Sequence, residues 1–284
     1  MNKPLILMTG ICLLFLTRLS ARAAELDVRG AELRQGQALQ VRFRAEQAGP
    51  FRVQVAGQTH TLFEEAEAYQ GFVGLPADQK PGGYTLRILD ETGQTLASQK
   101  IEVYPGSFYT QHIRFPSPPL TPEQEAVVQA ERQEMDTARA SRSPDRLWQS
   151  AFAVPVPHRV SAVYGTRRYL NGKYNGYHGG VDFASPMGYP VKAPADGRVV
   201  LARYFSKYNA NGNTVFLDHG LGVTSVYIHL SKVLVQPGQL IRKGEALGLI
   251  GSSGRSTGPH LHWGLYLNGQ NTDGLHWIRF TQQL

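Results

Sequence analysis

Cysteine is almost absent from these 284 residues: Cys12 is the only one. It lies in an apolar stretch from Pro4 to Leu16, so a chain trimmed of that stretch has no disulfide and no thiolate metal site. A long apolar run is also missing, because Pro4 to Leu16 is too short to span a bilayer. Lys3 precedes it and Ser20-Ala21-Arg22-Ala23-Ala24 follows, which is the order of a secretory signal peptide. Residues 1–23 are therefore expected to be such a signal, cut near Ala23 or Ala24, with no stable membrane insertion afterwards. Ile11 before Cys12, and the position of Cys12 within the run, argue against a lipoprotein anchor. No helical-repeat period and no low-complexity tract is present.

Acidic residues are scarce in the second half. Residues 151–284 carry thirteen Lys or Arg and five Asp or Glu, whereas residues 24–150 carry thirteen and seventeen. A basic second half suits an anionic partner, and for an exported chain a cell-envelope polymer fits better than nucleic acid. The opposite charges also favour docking of the first half on the second, where it is expected to cover part of a cleft and restrain activity, or to act as a spacer or substrate-positioning module.

Residues 24–104 alternate in the manner of strands: Leu39, Val41 and Phe43; Phe51, Val53 and Val55; Tyr84, Leu86 and Ile88; Ile101 and Val103. With Gly82-Gly83 and Thr92-Gly93 as punctuation, they predict a small antiparallel β-sandwich of Ig-like type. His60 is alone there and reads as structural. Residues 105–154 form a linker, entered through Pro116-Ser117-Pro118-Pro119. Thr121, Pro122 and Gln124 make a capping box and a first turn for a helix over residues 122–141, which Ser143-Pro144 ends. Its thin apolar stripe of Val127, Val128 and Met135 predicts a helix bridging two domains. From residue 155 to 284 short β-branched segments predict an antiparallel β domain, with a tight hairpin at Asp218-His219-Gly220-Leu221-Gly222.

Two motifs in that domain carry chemistry. Gly258-Pro259-His260-Leu261-His262 sets two imidazoles on one face of a strand, where they can meet one metal ion or merely hydrogen-bond. Tyr177-His178-Gly179-Gly180-Val181-Asp182 adds a histidine and a carboxylate. Two imidazoles and one carboxylate with an open fourth position is the donor set of a catalytic zinc site. His229, in Tyr227-Ile228-His229-Leu230, is a further histidine. Zinc acidifies water, and a neutral imidazole nearby can take the proton.

His178-x-x-x-Asp182, Tyr227-Ile228-His229-Leu230 and Gly258-Pro259-His260-Leu261-His262, in that order, resemble the lysostaphin-like, or LytM-type, zinc metallopeptidases that cut peptidoglycan cross-links. The similarity extends over most of residues 155–284, including Gly188-Tyr189-Pro190-Val191-Lys192-Ala193-Pro194, Gly212-Asn213-Thr214-Val215 and Thr257-Gly258-Pro259. The resemblance implies that His178, Asp182 and His262 hold one Zn2+ per chain. It implies that His260 is the general base and that His229 orients the attacking water and stabilises the transition state. Tyr169, Tyr174 and Tyr177 are candidates for a tyrosine at the oxyanion, and their spacing does not choose among them. His158, His219 and His276 are left outside the site. The implied protein is a periplasmic or secreted peptidoglycan endopeptidase, with a D-alanyl to diaminopimelate bond as first choice and a glycine bridge as a chemical alternative. A non-catalytic relative that activates wall amidases is the competing reading; loss of zinc ligands would mark it, and none is lost here. The first half also resembles, more weakly, a β module found before such domains.

Overall fold

Alternating side chains pair up as expected. In the computed structural model, which describes residues 24–114, 120–206, 208 and 211–284, residues 25–104 form two sheets. The signal peptide expected at residues 1–23 and the Pro116–Pro119 run lie outside the described residues. One sheet runs Glu25–Arg29, Ala38–Arg44, Ala68–Gly74, Phe63–Glu65. The other runs Glu32–Arg34, Thr95–Tyr104, Gly82–Leu89, Arg52–Val55, Gln58–Thr61. Leu39, Val41 and Phe43 from the first meet Val53, Val55, Leu86, Ile88, Ile101 and Val103 from the second in one apolar core. The sandwich is not wholly antiparallel, because Glu32–Arg34 pairs parallel with Thr95–Tyr104.

The linker helix spans Pro122–Arg139, and both arms of its capping box at Thr121 and Gln124 are made. It stops two residues short of Ser141, with Ala140 as the cap residue donating its N–H to Asp136 and Ala138. It also does not bridge two domains. Ala138 and Met135 pack on Leu201, Phe216, Val226, Ile228 and Tyr266, so the helix lies along one face of the C-terminal sheet. A helix resting on a sheet needs only one apolar side, which is why a thin stripe suffices. Glu131, buried on that side, accepts from the Ser206 N–H at 2.6 Å and the Ser206 hydroxyl at 2.9 Å.

The C-terminal sheet places Val160–Ala162, Val181–Ala184, His260–Leu267, Val223–Leu230, Asn213–Gly220, Gly197–Tyr204 and Leu240–Ile241 side by side, all antiparallel. The hairpin between Asn213–Gly220 and Val223–Leu230 turns at Leu221 and Gly222, which have φ of 54° and 76°. Two left-handed residues in a two-residue loop match the twist of the strands they join. The face away from the linker helix packs on Trp148, Phe152, Trp277 and Phe280. Trp277 and Phe280 belong to a second helix, Gly274–Thr281, which the strand-centred sequence reading did not include. The Asp273 side chain accepts from the Leu275 N–H and caps it, so an Asp ahead of Trp277 and Phe280 was its available signal.

Charge and apolar packing divide the work of joining the two halves. The acidic linker helix meets the basic sheet where Arg203 pairs with Glu134 at 2.8 Å. The sandwich docks instead through Phe72, whose ring lies 5.1 Å from that of Trp277 and 6.1 Å from that of Trp148. Asn268 donates to the Phe72 carbonyl and the Asp273 N–H to the Gly36 carbonyl. These contacts fall near Leu267 and beyond, about 17 Å along the strand from His262. No hydrogen bond or ring contact among the described residues joins residues 24–104 to His178, Asp182, His229, His260 or His262. Outside the linker helix, the first half meets the C-terminal domain near that group at Thr110–Ile113, which pairs parallel with Arg167–Leu170, and at the Ala77 N–H, which donates to the Tyr164 hydroxyl.

Candidate metal centre

Asp182 and His262 lie directly opposite each other on neighbouring strands, so their side chains leave the same face of the sheet. His262 Nδ1 is 2.7 Å from Asp182 Oδ1. His178 arrives from the turn after Lys173–Tyr177, tied down by its N–H to the Thr166 carbonyl. Its Nε2 is 3.0 Å from Asp182 Oδ1 and 2.9 Å from His262 Nδ1. Gly180 makes this approach possible: a Cβ there would lie 2.7 Å from His262 Nε2 and 2.5 Å from the Trp263 carbonyl oxygen.

The donor set fits a metal ion. His178 is buried and donates Nδ1–H to the Val163 carbonyl at 2.9 Å, which leaves the Nε2 lone pair pointing at the other two atoms. Three acceptor atoms on three side chains thus converge, and together they form a group that could hold one ion. Atoms about 2.0 Å from a common tetrahedral centre lie about 3.3 Å apart. The observed spacings need to widen by only a few tenths of an ångström. Burial alone would raise the Asp182 carboxyl, but the hydrogen bonds and charges of His178 and His262 outweigh it and hold it well below the usual carboxylate range. Burial pushes His262 down, against the pull of Asp182. Asp182 is therefore a carboxylate and His262 a neutral imidazole at neutral pH, and an ion held here would displace any proton that the Asp182 oxygen shares with the two imidazoles.

Two further imidazoles flank the group. His260 follows the two-residue spacing onto the same face as His262, and donates Nδ1–H to the Gly258 carbonyl at 2.8 Å. His229 is less simple. Ile228 pairs with His262, so strict alternation would send His229 to the opposite face beside Tyr227. A φ of 65° turns it back, and its ring sits 4.7 Å from that of His260 and 6.4 Å from that of His262. A left-handed β-strand histidine is strained and is held by its surroundings. Its N–H binds the Asn211 carbonyl, and its Nδ1–H donates to the Ser253 carbonyl at 2.8 Å. Gly251 lets that turn close, because a Cβ there would lie 2.2 Å from Ser231 N and 2.6 Å from the His229 carbonyl oxygen. Burial pushes His229 down to about 4.

The remaining candidates fall elsewhere. Tyr177 packs on Tyr164, Tyr169 stacks on His112, and Tyr174 is exposed; none has a hydrogen bond or ring contact with the three donors. His219 braces the hairpin through the Ser225 hydroxyl, and His158 bonds to Ser185. Sequence reasoning missed Arg168. Burial lowers it, the Asp182 carboxylate opposes that, and its Nε has no hydrogen-bond partner among the described residues. The Arg167-Arg168 pair beside the Gly165 turn was the signal. Among the described residues no helix is long and apolar enough to cross a membrane.

Residues 176–274 match the sequence model of peptidase family M23. A crystal structure from Pseudomonas aeruginosa, assigned to peptidase M23, is similar with a TM-score of 0.62 and 32% identity, over 82% of this chain and 90% of that one. The peptidoglycan DD-endopeptidase ShyA of Vibrio cholerae is 43% identical over 125 residues, 44% of this chain and 28% of that protein. The DD-carboxypeptidase/endopeptidase Mpg of Neisseria gonorrhoeae is 40% identical over 112 residues, 39% of this chain and 25% of that protein. The chain thus spans about a quarter of the length of these two curated relatives.

Proposed function

Because this chain belongs to peptidase family M23, we propose that it is a zinc metalloendopeptidase that hydrolyses D-alanyl peptide cross-links of peptidoglycan in the cell envelope. The observation that carries the proposal is the convergence of His178 Nε2, Asp182 Oδ1 and His262 Nδ1 with two further imidazoles beside them. Those three atoms would hold the zinc. Zinc bound there supplies a Lewis acid for the scissile carbonyl and acidity for water.

The rest is the work of the chain's own side chains. His229 and His260 each spend Nδ1–H on a carbonyl, so each presents the Nε2 lone pair to the site. His229, held down near 4 by burial, stays neutral and is a weak base, suited to accept a hydrogen bond and fix the direction of the attacking water. His260, half exposed at the strand's start, is the proton carrier. It takes the proton of the attacking water and returns it to the leaving amine as the carbon–nitrogen bond breaks. A regulator without chemistry would have no use for two oriented imidazoles beside a complete donor set. The expected signal peptide supports export to the periplasm or beyond.

The test is mass spectrometry of products from a defined D-alanyl cross-linked muropeptide dimer. The zinc-loaded chain should release two monomers by adding one water, and a chelator should stop it. Intact dimer after incubation with the zinc-loaded chain would overturn the reading.

A further inference from the structure

Along His260–Leu267 the side chains of His260, His262 and Tyr266 share one face, and Tyr266 packs in the cluster that includes Ala138 of the linker helix. The linker helix and the metal group therefore stand on the same side of the sheet. Between the helix and the loop that leads to His260 lies a cavity of about 400 Å³, lined by Val128, Arg132, Met135, Asp136, Arg139 and Arg255, among others.

Its charge is not balanced. Arg139 pairs with Asp136 at 3.1 Å and lies over the Tyr266 ring at 4.7 Å, so it belongs to the floor. Arg132 and Arg255 are exposed and make no ion pair or side-chain hydrogen bond among the described residues. Two guanidinium groups thus face one cavity from separate elements, with no carboxylate of their own. The cavity also touches the chemistry. Asn211, another lining residue, receives the His229 N–H on its carbonyl. Arg255 stands between Ser253, whose carbonyl holds His229, and Ser256, whose hydroxyl lies 3.2 Å from His260 Nδ1.

We infer that this cavity is a substrate subsite that takes a carboxylate-bearing arm of the cross-linked peptide, with Arg132 and Arg255 gripping the carboxylate and Val128 and Met135 lining the path of its aliphatic part. Arginine suits that task because its planar fork matches a carboxylate, and stem peptides carry free carboxylates at positions away from the bond that is cut. The inference rests on the peptidoglycan reading above and adds a specificity element to it. The helix that supplies Arg132 lies outside residues 176–274 and Arg255 lies within them, so the subsite joins the linker helix to the matched domain.

The test compares one cross-linked muropeptide dimer with free carboxylates and the same dimer with those carboxylates amidated. The zinc-loaded wild-type chain should favour the free form by about tenfold in kcat/KM, through KM. Arg132→Gln and Arg255→Gln should each erase most of that preference while kcat is kept, and Arg132→Lys should retain part of it. Equal KM for the two dimers in the wild type, or an unchanged ratio in both Gln variants, overturns the inference. Calorimetric binding of the free and amidated stem peptides gives a readout independent of turnover. A wild-type chain that cleaves neither dimer but binds the free peptide about tenfold more tightly, with the difference lost in Arg132→Gln, would overturn the enzyme reading and keep the subsite; no binding difference would overturn the subsite alone.

Discussion

Both halves of the molecule bury histidine, and they use it differently. In the sandwich His60 sits on Gln58–Thr61, bonded to the Gln58 side chain, and burial holds it down to about 4 with help from the charge of Arg142. In the C-terminal sheet His219 is also buried and held down to about 4, with Nδ1–H given to the Asp196 carbonyl. Neither belongs to a group that could hold a metal ion among the described residues. His178 and His262 differ in converging with Asp182 on one group that could hold an ion, and the rings of His229 and His260 lie beside that group. A depressed pKa therefore marks burial in both halves; convergence marks the site in one.

The sharpest way to break this comparison is to remove one histidine from each half. His262→Ala should lose bound zinc, measured by elemental analysis, and lower hydrolysis by about a thousandfold or more. His60→Gln should keep both. Zinc retained at wild-type stoichiometry in His262→Ala would mean that the converging atoms are not the ligand set. Next in size, His260→Ala should keep its zinc but lower kcat by about a hundredfold to ten-thousandfold, the range for a lost general base. Normal turnover in that variant would pass the role to another group.

How much of this was legible follows from which rule governs each residue. The two-residue spacing of His260 and His262 was enough to put both on one face, because strand alternation holds there. His229 obeys a different rule: alternation sends it into the core, and only the left-handed backbone at that position, which the sequence does not announce, returns it to the site. Thr121, Pro122 and Gln124 declared the linker helix. Where it would lie depended on Phe216, Val226 and Tyr266, which come from three strands distant in sequence. The parallel pairing of Glu32–Arg34 and the docking of Phe72 on Trp277 are likewise long-range facts with no local signature.

The junction between the halves allows a smaller test. Phe72 is fully buried between Trp148 and Trp277, so Phe72→Ala should destabilise the chain by about 3 to 5 kcal/mol. Since the contact lies far along the sheet from His262, zinc content per folded chain should not change. If urea denaturation then shows two transitions where the wild type shows one, the aromatic contact is what couples the halves. A single transition at the wild-type midpoint would show that the contact contributes little.

The smallest effect separates burial from function by pH. His60 and His219 are each neutral in the folded chain down to about 4, whereas an unfolded chain protonates them near the ordinary 6.5. Between those values the unfolded state binds more protons, so stability is fully present above about pH 6.5 and falls as the solution is acidified toward 4. At each position the displacement corresponds to about 3 kcal/mol. Urea midpoints measured from pH 8 to pH 4.5 should drop less steeply in His60→Gln than in the wild type, and the same should hold for His219→Gln. The slope is the proper readout, since either substitution also changes stability at pH 8, His219→Gln more so because it breaks the bonds to Asp196 and Ser225. A His60→Gln curve parallel to the wild type would mean that His60 titrates freely, and the likeness between the two buried histidines would fail.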